Sequence, residues 1–391
     1  MTDLRKLKQD YSWIQTPLVV GAPMRLIALA DMAVEISKAG NTHPSPPSQR
    51  PQTTCILHHN SYYNHYFPRS SNDLIIPTGG IGFIGAGTDV SDLRSHLDNA
   101  VTLLKSTPLK AANGTLPIGI GFINWGANLP PAIALIREYK PAAVWMFAPS
   151  SISSLSDWCQ KTRHASAQTK IWVQVGSLQE ARNVVEAVEP DVLVVQGTDA
   201  GGHGLAHGAS LISLLPEVNE MLQTSFEEEK KRPVLIAAGG ISNSRNALAA
   251  LVLGSSGVCM GTRFLATPEA NISAGYQTSV LRATDGGQTT VRTKVYDNLR
   301  GTTGWAESHN ARGIVNQSYF DHLKGMGDEE NKELYQREVE KGDEGWEEGG
   351  RMTAYAGSGV GLVKSVMGAG EVVKEIREGV RRLAGGVGAL L

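Results

Sequence analysis

At 391 residues, the chain is long enough for one large barrel with an appendage, or for two domains. A hydrophobic content of 41% supplies a substantial core, and a formal net charge of −2 excludes the basic footprint of a nucleic-acid binder. The three scattered cysteines (Cys55, Cys159, Cys259) form no C-x-x-C pair, and about 18 uninterrupted apolar residues occur nowhere, which argues against a disulfide framework, a zinc site and a membrane span and leaves a soluble, cytoplasmic protein as the expectation.

Short β-rich apolar runs alternate with helical patterns through the first two-thirds of the chain. Strands are predicted at Leu18–Ala22, Ile81–Ile84, Ile118–Ile123, Ala143–Phe147, Ile171–Val175, Val192–Val195, Val234–Ala238 and Gly257–Met260. Helices are predicted at Ile27–Lys38, Val90–Lys105, Pro131–Tyr139, Leu178–Val188, Leu211–Leu222 and Ser244–Leu253. Near-continuous apolar strands suit burial on both faces, as in a parallel sheet. Eight strand-then-helix units point to an α/β protein with a closed (β/α)8 TIM barrel, and a doubly wound open sheet is the alternative.

After Gly257–Met260 the rhythm stops. Residues 268–355 read as an inserted, mainly helical lid subdomain, with the acidic stretch Asp343–Glu348 as a solvated face. The barrel domain then comprises 1–267 plus 356–391, where Tyr355–Val363 returns to glycine and apolar residues and Val372–Leu383 is amphipathic.

One segment breaks the pattern. Asn41–Pro77 holds six prolines and four of the ten histidines, but no Gly, Ala, Val, Glu or Lys. It reads as an irregular insertion before the second strand, and a retained intron in the gene model would also account for it. A spliced transcript lacking these codons would decide that. The histidines there (His43, His58, His59, His65) are irregularly spaced and have no set of carboxylate partners, so no metal site is expected.

The motifs that carry chemistry sit at strand ends. Gln196-Gly197-Thr198-Asp199-Ala200-Gly201-Gly202-His203-Gly204 follows the sixth strand and places one histidine among four glycines. Glycine lets backbone approach a ligand closely, and a histidine held there suits acid–base work near neutral pH. Ala238-Gly239-Gly240-Ile241 and Met260-Gly261-Thr262-Arg263-Phe264 end the seventh and eighth strands, where barrels commonly bind a phosphate on backbone N–H groups. Gly21-Ala22-Pro23-Met24 closes the first strand, where small residues let backbone meet a flat ring and Met24 can pack on it. Gln174 and Asn124 would add neutral polar groups at the same mouth. Gly80-Ile81-Gly82-Phe83-Ile84-Gly85 matches a dinucleotide pattern, but its apolar residues are themselves the strand, so a barrel strand is the better reading. Cys259 reads as a small core residue.

Together, the motifs at 21–24, 196–204, 237–241 and 260–264, with the late A-G-S-G-V-G-L-V, resemble the nitronate monooxygenase family, formerly 2-nitropropane dioxygenases. The resemblance runs over nearly the whole chain outside 41–77. It implies a TIM barrel holding FMN noncovalently, with His203 as catalytic base. The FMN contacts it implies are Ala22, Met24, Gln174, Gly201, Gly202, Gly239, Gly240, Gly261 and Thr262. Asn124, Tyr355 and Ser358 are expected in the substrate pocket, Asp199 either orients the histidine or caps the loop, and His207 is a surface neighbour. The implied reaction oxidises a nitronate or nitroalkane with O2 to a carbonyl compound and nitrite. Similar enzymes leave two alternatives open: an FMN oxidoreductase acting on a quinone or enoyl thioester, and a non-catalytic flavin-binding scaffold.

Overall fold

In the computed structural model, which describes residues 2–39, 79–226, 228 and 231–388, the apolar runs form the staves of one parallel barrel. The strands are β1 (Leu18–Gly21), β2 (Phe83–Gly87), β3 (Leu116–Ile123), β4 (Pro141–Phe147), β5 (Lys170–Val175), β6 (Val192–Gln196), β7 (Gly202–Leu205), β8 (Val234–Ala238) and β9 (Gly257–Met260). All but β7 lie in the barrel sheet, in the order β1-β9-β8-β6-β5-β4-β3-β2. The ring closes between β1 and the chain just before β2, where Val20 bridges Ile81 in parallel and the Gly21 N–H donates to the Ile81 carbonyl at 3.0 Å. The open-sheet alternative is thereby excluded.

The barrel interior is filled, not hollow. Trp145 and Trp172 stack across β4 and β5 with ring centroids 5.9 Å apart, and Phe83 meets Trp145 edge-on at 5.3 Å. A Cβ on Gly119 of β3 would lie 2.2 Å from the Phe83 ring, so that position makes room for the aromatic core. An N-terminal helix, Thr2–Asp10, leads to Tyr11, whose hydroxyl accepts from Trp172 Nε1 at 2.6 Å.

Helices Ala30–Lys38, Leu93–Lys105, Leu129–Tyr139, Leu178–Val188, Leu211–Ser225 and Ser244–Val252 follow the predicted positions, with ends shifted by up to three residues. The sequence reading omits the helices Thr2–Asp10 and Ile152–Ala165. Thr2–Asp10 buries Leu7 alone among charged and polar residues, and Ile152–Ala165 buries only the narrow stripe Leu155, Trp158, Cys159 and Thr162, which has helical spacing but is set among Ser, Lys and Arg. Its start is fixed by Ser151, whose side chain accepts from the Ser154 N–H at 3.1 Å. The closing helix, Ala369–Gly388, is longer than its amphipathic centre.

The inserted segment holds the helices Ala274–Arg282, Val295–Arg300, Gln317–Leu323 and Asp328–Val339. It also holds two strands that helical composition does not reveal, β10 (Thr290–Thr293) and β11 (His309–Ile314). These pair antiparallel with β7 in the order β10-β11-β7, placing His203 opposite Ala311 and Gly202 opposite Arg312. The insert is therefore hydrogen-bonded directly to the glycine-rich loop that follows β6.

The Asn41–Pro77 insertion, its histidines and Cys55 lie outside the described residues. Cys159 and Cys259 are buried and free. Among the described residues no cluster of three or more His, Cys, Asp or Glu side chains is arranged to hold a metal, and no helix is long and apolar enough to cross a membrane.

Candidate active site

The C-terminal ends of the staves open into a cavity of about 500 Å³. Its wall includes Ala22 and Met24 after β1, Gln174 of β5, Gly239 and Gly240 after β8, and Gly261 and Thr262 after β9. The loop following β6 contributes Gly201, Gly202 and His203, and the insert covers them with Thr302, Trp305 and Tyr355. Most of the residues singled out from the sequence thus share one enclosure.

His203 is clamped on two sides. Its ring lies on the Trp305 indole with centroids 3.8 Å apart and planes 8° from parallel. Its Nε2 is 2.9 Å from Asp297 Oδ1. That carboxylate, only 3% exposed, also accepts from Thr302 Oγ1 at 2.8 Å and from the Tyr355 hydroxyl at 3.3 Å. Burial first, then the charge of Asp297, pushes the Tyr355 hydroxyl above its ordinary range, so it remains a donor. Nearby, burial pushes the His309 imidazole down to about 4, with His203, Arg292 and Lys294 adding to the effect, which keeps that ring neutral at pH 7.

Two arginines hold the loop that precedes the histidine. Arg292 of β10 donates through Nε to the Thr198 carbonyl and through Nη2 to the Ala200 carbonyl, both at 3.1 Å. Arg312, its cross-strand partner on β11, donates twice to the same Thr198 oxygen at 3.2 Å. Burial followed by repulsion from Arg312 pushes Arg292 down to about 10, and it remains charged at neutral pH.

The glycines in this loop have a more specific reason than ligand approach. A Cβ on Gly201 would lie 2.5 Å from backbone atoms of Ala356 and Gly357, because the returning chain passes directly over it. Gly202 has open space around it but a φ of +66°, the left-handed region that glycine enters without strain.

The remaining expected residues divide clearly. Gln174 lies on the cavity wall, and its Oε1 accepts from Trp145 Nε1 at 3.1 Å, which leaves the amide N–H groups as its donors. Asn124 and Ser358 are off the wall. Asn124 Oδ1 accepts from the Phe147 N–H at 2.8 Å, so its carboxamide serves the β3–β4 backbone. Ser358 donates to Asp199 Oδ1 at 2.7 Å, which makes Asp199 a tie between the loop and the returning chain; Asp297, not Asp199, contacts the histidine. His207 is exposed. Sequence reasoning misses Asp297, Trp305, Arg292 and Arg312, because nothing in their local sequence distinguishes them from other polar or aromatic residues of the insert.

The sequence pattern of the family described as nitronate monooxygenase matches residues 153–379. A protein named nitronate monooxygenase npaC from Metarhizium robertsii is 40% identical over 96% of this chain and 94% of its own. A nitronate monooxygenase from Neurospora crassa is 32% identical over 96% and 92%. Among solved structures, FabK from Thermotoga maritima aligns with a TM-score of 0.68 at 19% identity over 99% of each chain. A nitroalkane oxidase from Streptomyces ansochromogenes aligns with a TM-score of 0.66 at 18% identity over 98% of this chain and 99% of its own. Likeness at such low identity speaks to the shared fold.

Proposed function

The chain belongs to the nitronate monooxygenase family of oxidoreductases, and on that premise we propose that it oxidises nitronates and nitroalkanes with dioxygen to a carbonyl compound and nitrite, using FMN. The observation that carries this reading is the enclosure of His203 in one cavity with the glycine turns after β8 and β9.

The cavity fits the cofactor. Among the described residues, no protein acceptor takes the backbone N–H of Gly239, Gly240 or Gly261. Gly239 and Gly240 have φ of +101° and +73°, a turn that favours glycine and suits a phosphate nest. Thr262 Oγ1 accepts from the Gly357 N–H at 2.9 Å, leaving its own proton to donate. A Cβ on Gly261 would lie 3.6 Å from Ala22 Cβ and 3.7 Å from Met24 Sδ, so the Gly261 turn adjoins the residues suited to flank a flat ring. Gly239, Gly240, Gly261 and Thr262 would hold the phosphate, and Ala22, Met24, Gly201, Gly202 and Gln174 would flank the ring. Bound there, FMN supplies the electron-transfer and dioxygen chemistry that side chains lack.

The protein supplies position and proton transfer. The α-carbon of a neutral nitroalkane is acidic because its anion, the nitronate, spreads charge onto the nitro group. His203 takes that proton as general base, and the resulting imidazolium faces the anion. The Gln174 amide offers neutral donors at the same wall. We place this activity in the cytoplasm on the cysteine usage.

His203→Asn tests the assignment. The variant should keep its yellow flavin spectrum and lose roughly 10²–10⁴-fold in turnover of neutral nitroalkane, while nitronate, already ionised, is affected less. Wild-type turnover in the variant would remove His203 from the mechanism. Anaerobic mixing separates this activity from a reductase fed by NAD(P)H, because here nitronate and not NADH should bleach the flavin. A purified protein that stays colourless with added FMN would indicate a scaffold.

A further inference from the structure

We propose that Asp297 is the positioning partner of His203, holding Nε2–H so that Nδ1 is the atom that takes the substrate proton. This rests on the reading of His203 as the base. Two hydroxyls, from Thr302 and Tyr355, already donate to Asp297 Oδ1 at 2.8 and 3.3 Å. That oxygen is therefore an acceptor, and its 2.9 Å contact with Nε2 is made by an N–H. In a neutral imidazole one nitrogen carries the proton and the other the lone pair, so the pair assigns the lone pair to Nδ1. No hydrogen bond to Nδ1 occurs among the described residues, and the ring lines the cavity.

The same carboxylate restrains motion. The two hydroxyls anchor Asp297 Oδ1, and Trp305 packs flat on the imidazole at 3.8 Å, so the ring is held both at one edge and over one face. Asp297 Oδ2 is buried and has no protein donor among the described residues, so Oδ1 makes all of the carboxylate's hydrogen bonds. In the proton transfer, the substrate C–H bond breaks and the proton goes to Nδ1. The electron pair stays on the substrate and delocalises into the nitro group. The imidazolium then bears N–H on both nitrogens, with the Asp297 carboxylate against one of them. No further reactant enters this step.

A purely structural role, tying helix Val295–Arg300 to β7, is the rival account. Holoenzyme with ¹⁵N-labelled histidine separates the two, because imidazole nitrogen shifts report which nitrogen is protonated. Wild type should show His203 as the Nε2–H form, and an Nδ1–H form would overturn the proposal without any variant being made. In Asp297→Asn the Nε2–H preference should be lost. Turnover of neutral nitroalkane should fall by about 10²–10⁴-fold through kcat with little change in KM, while nitronate turnover stays within about threefold. An unchanged tautomer with equal losses on both substrates would assign Asp297 a structural role only. If wild type turned over neither substrate, the proposed function would fail, while the nitrogen shifts would still decide whether Asp297 sets the tautomer.

Discussion

The arginine pair above β7 has a quantitative consequence for the glycine-rich loop that carries His203. Replacing Arg292 with Met keeps most of the side-chain length and removes its donors. Thr198 O keeps the two bonds from Arg312 at 3.2 Å, and Asn310 O keeps its place in the ladder opposite Gly204, so the loss falls on Ala200 O, served by Arg292 at 3.1 Å. A buried acceptor left without a donor costs about 1–3 kcal/mol. Burial and repulsion from Arg312 already disfavour the charged guanidinium, and their relief returns part of this. The net loss should be about 1–2 kcal/mol. Urea unfolding followed by tryptophan fluorescence measures it, and amide exchange across Thr198–His203 locates it. In a double-mutant cycle, adding Arg312→Met should cost more than the sum of the single changes, because only then does Thr198 O lose every side-chain donor. An Arg292→Met midpoint within about 0.5 kcal/mol of wild type, with unchanged exchange in the loop, would refute the clamp.

Three further outcomes test other parts of the site. Gly357→Ala would put a Cβ 2.5 Å from the Asp199 carbonyl oxygen, a backbone atom that must shift, and should cost about 1–3 kcal/mol by thermal melting; Gly261→Ala meets only ordinary contacts, so it should melt like wild type yet bind FMN more weakly, and undiminished affinity would remove that turn from the flavin site. Burial pushes His309 from 6.5 to about 4, so between those values the unfolded chain binds a proton that the folded chain does not. Stability is full above about 6.5 and should fall by about 1–2 kcal/mol as the pH drops to about 4, less than the whole shift would give because solvent screens this partly exposed ring. Urea midpoints at both ends of that window measure the slope, and His309→Gln should flatten it. An equal slope in the variant would place the acid sensitivity elsewhere.

The barrel was legible because its signals are local. Each stave is a run of apolar residues bounded by a turn, as in Val192–Gln196, and the helix Leu178–Val188 repeats its buried positions at helical spacing. The glycine turns at 239–240 and 261 could be placed in one mouth because closure of a barrel brings the C-terminal ends of its strands together. The narrow stripe of Ile152–Ala165 was too weak a signal among polar neighbours.

The surroundings of His203 were a different matter. Chain order alone determined that a histidine follows the sixth stave among glycines. Only the pairing of β7 with β11 brought the insert over it, joining Asp297 to a ring 94 positions earlier and Arg312 to a carbonyl 114 positions earlier. Within its own segment β7 has no strand partner, and β11 has only β10. Their register, and with it which side chains meet the imidazole, comes from hydrogen bonds between distant stretches of backbone that no local pattern of residues encodes.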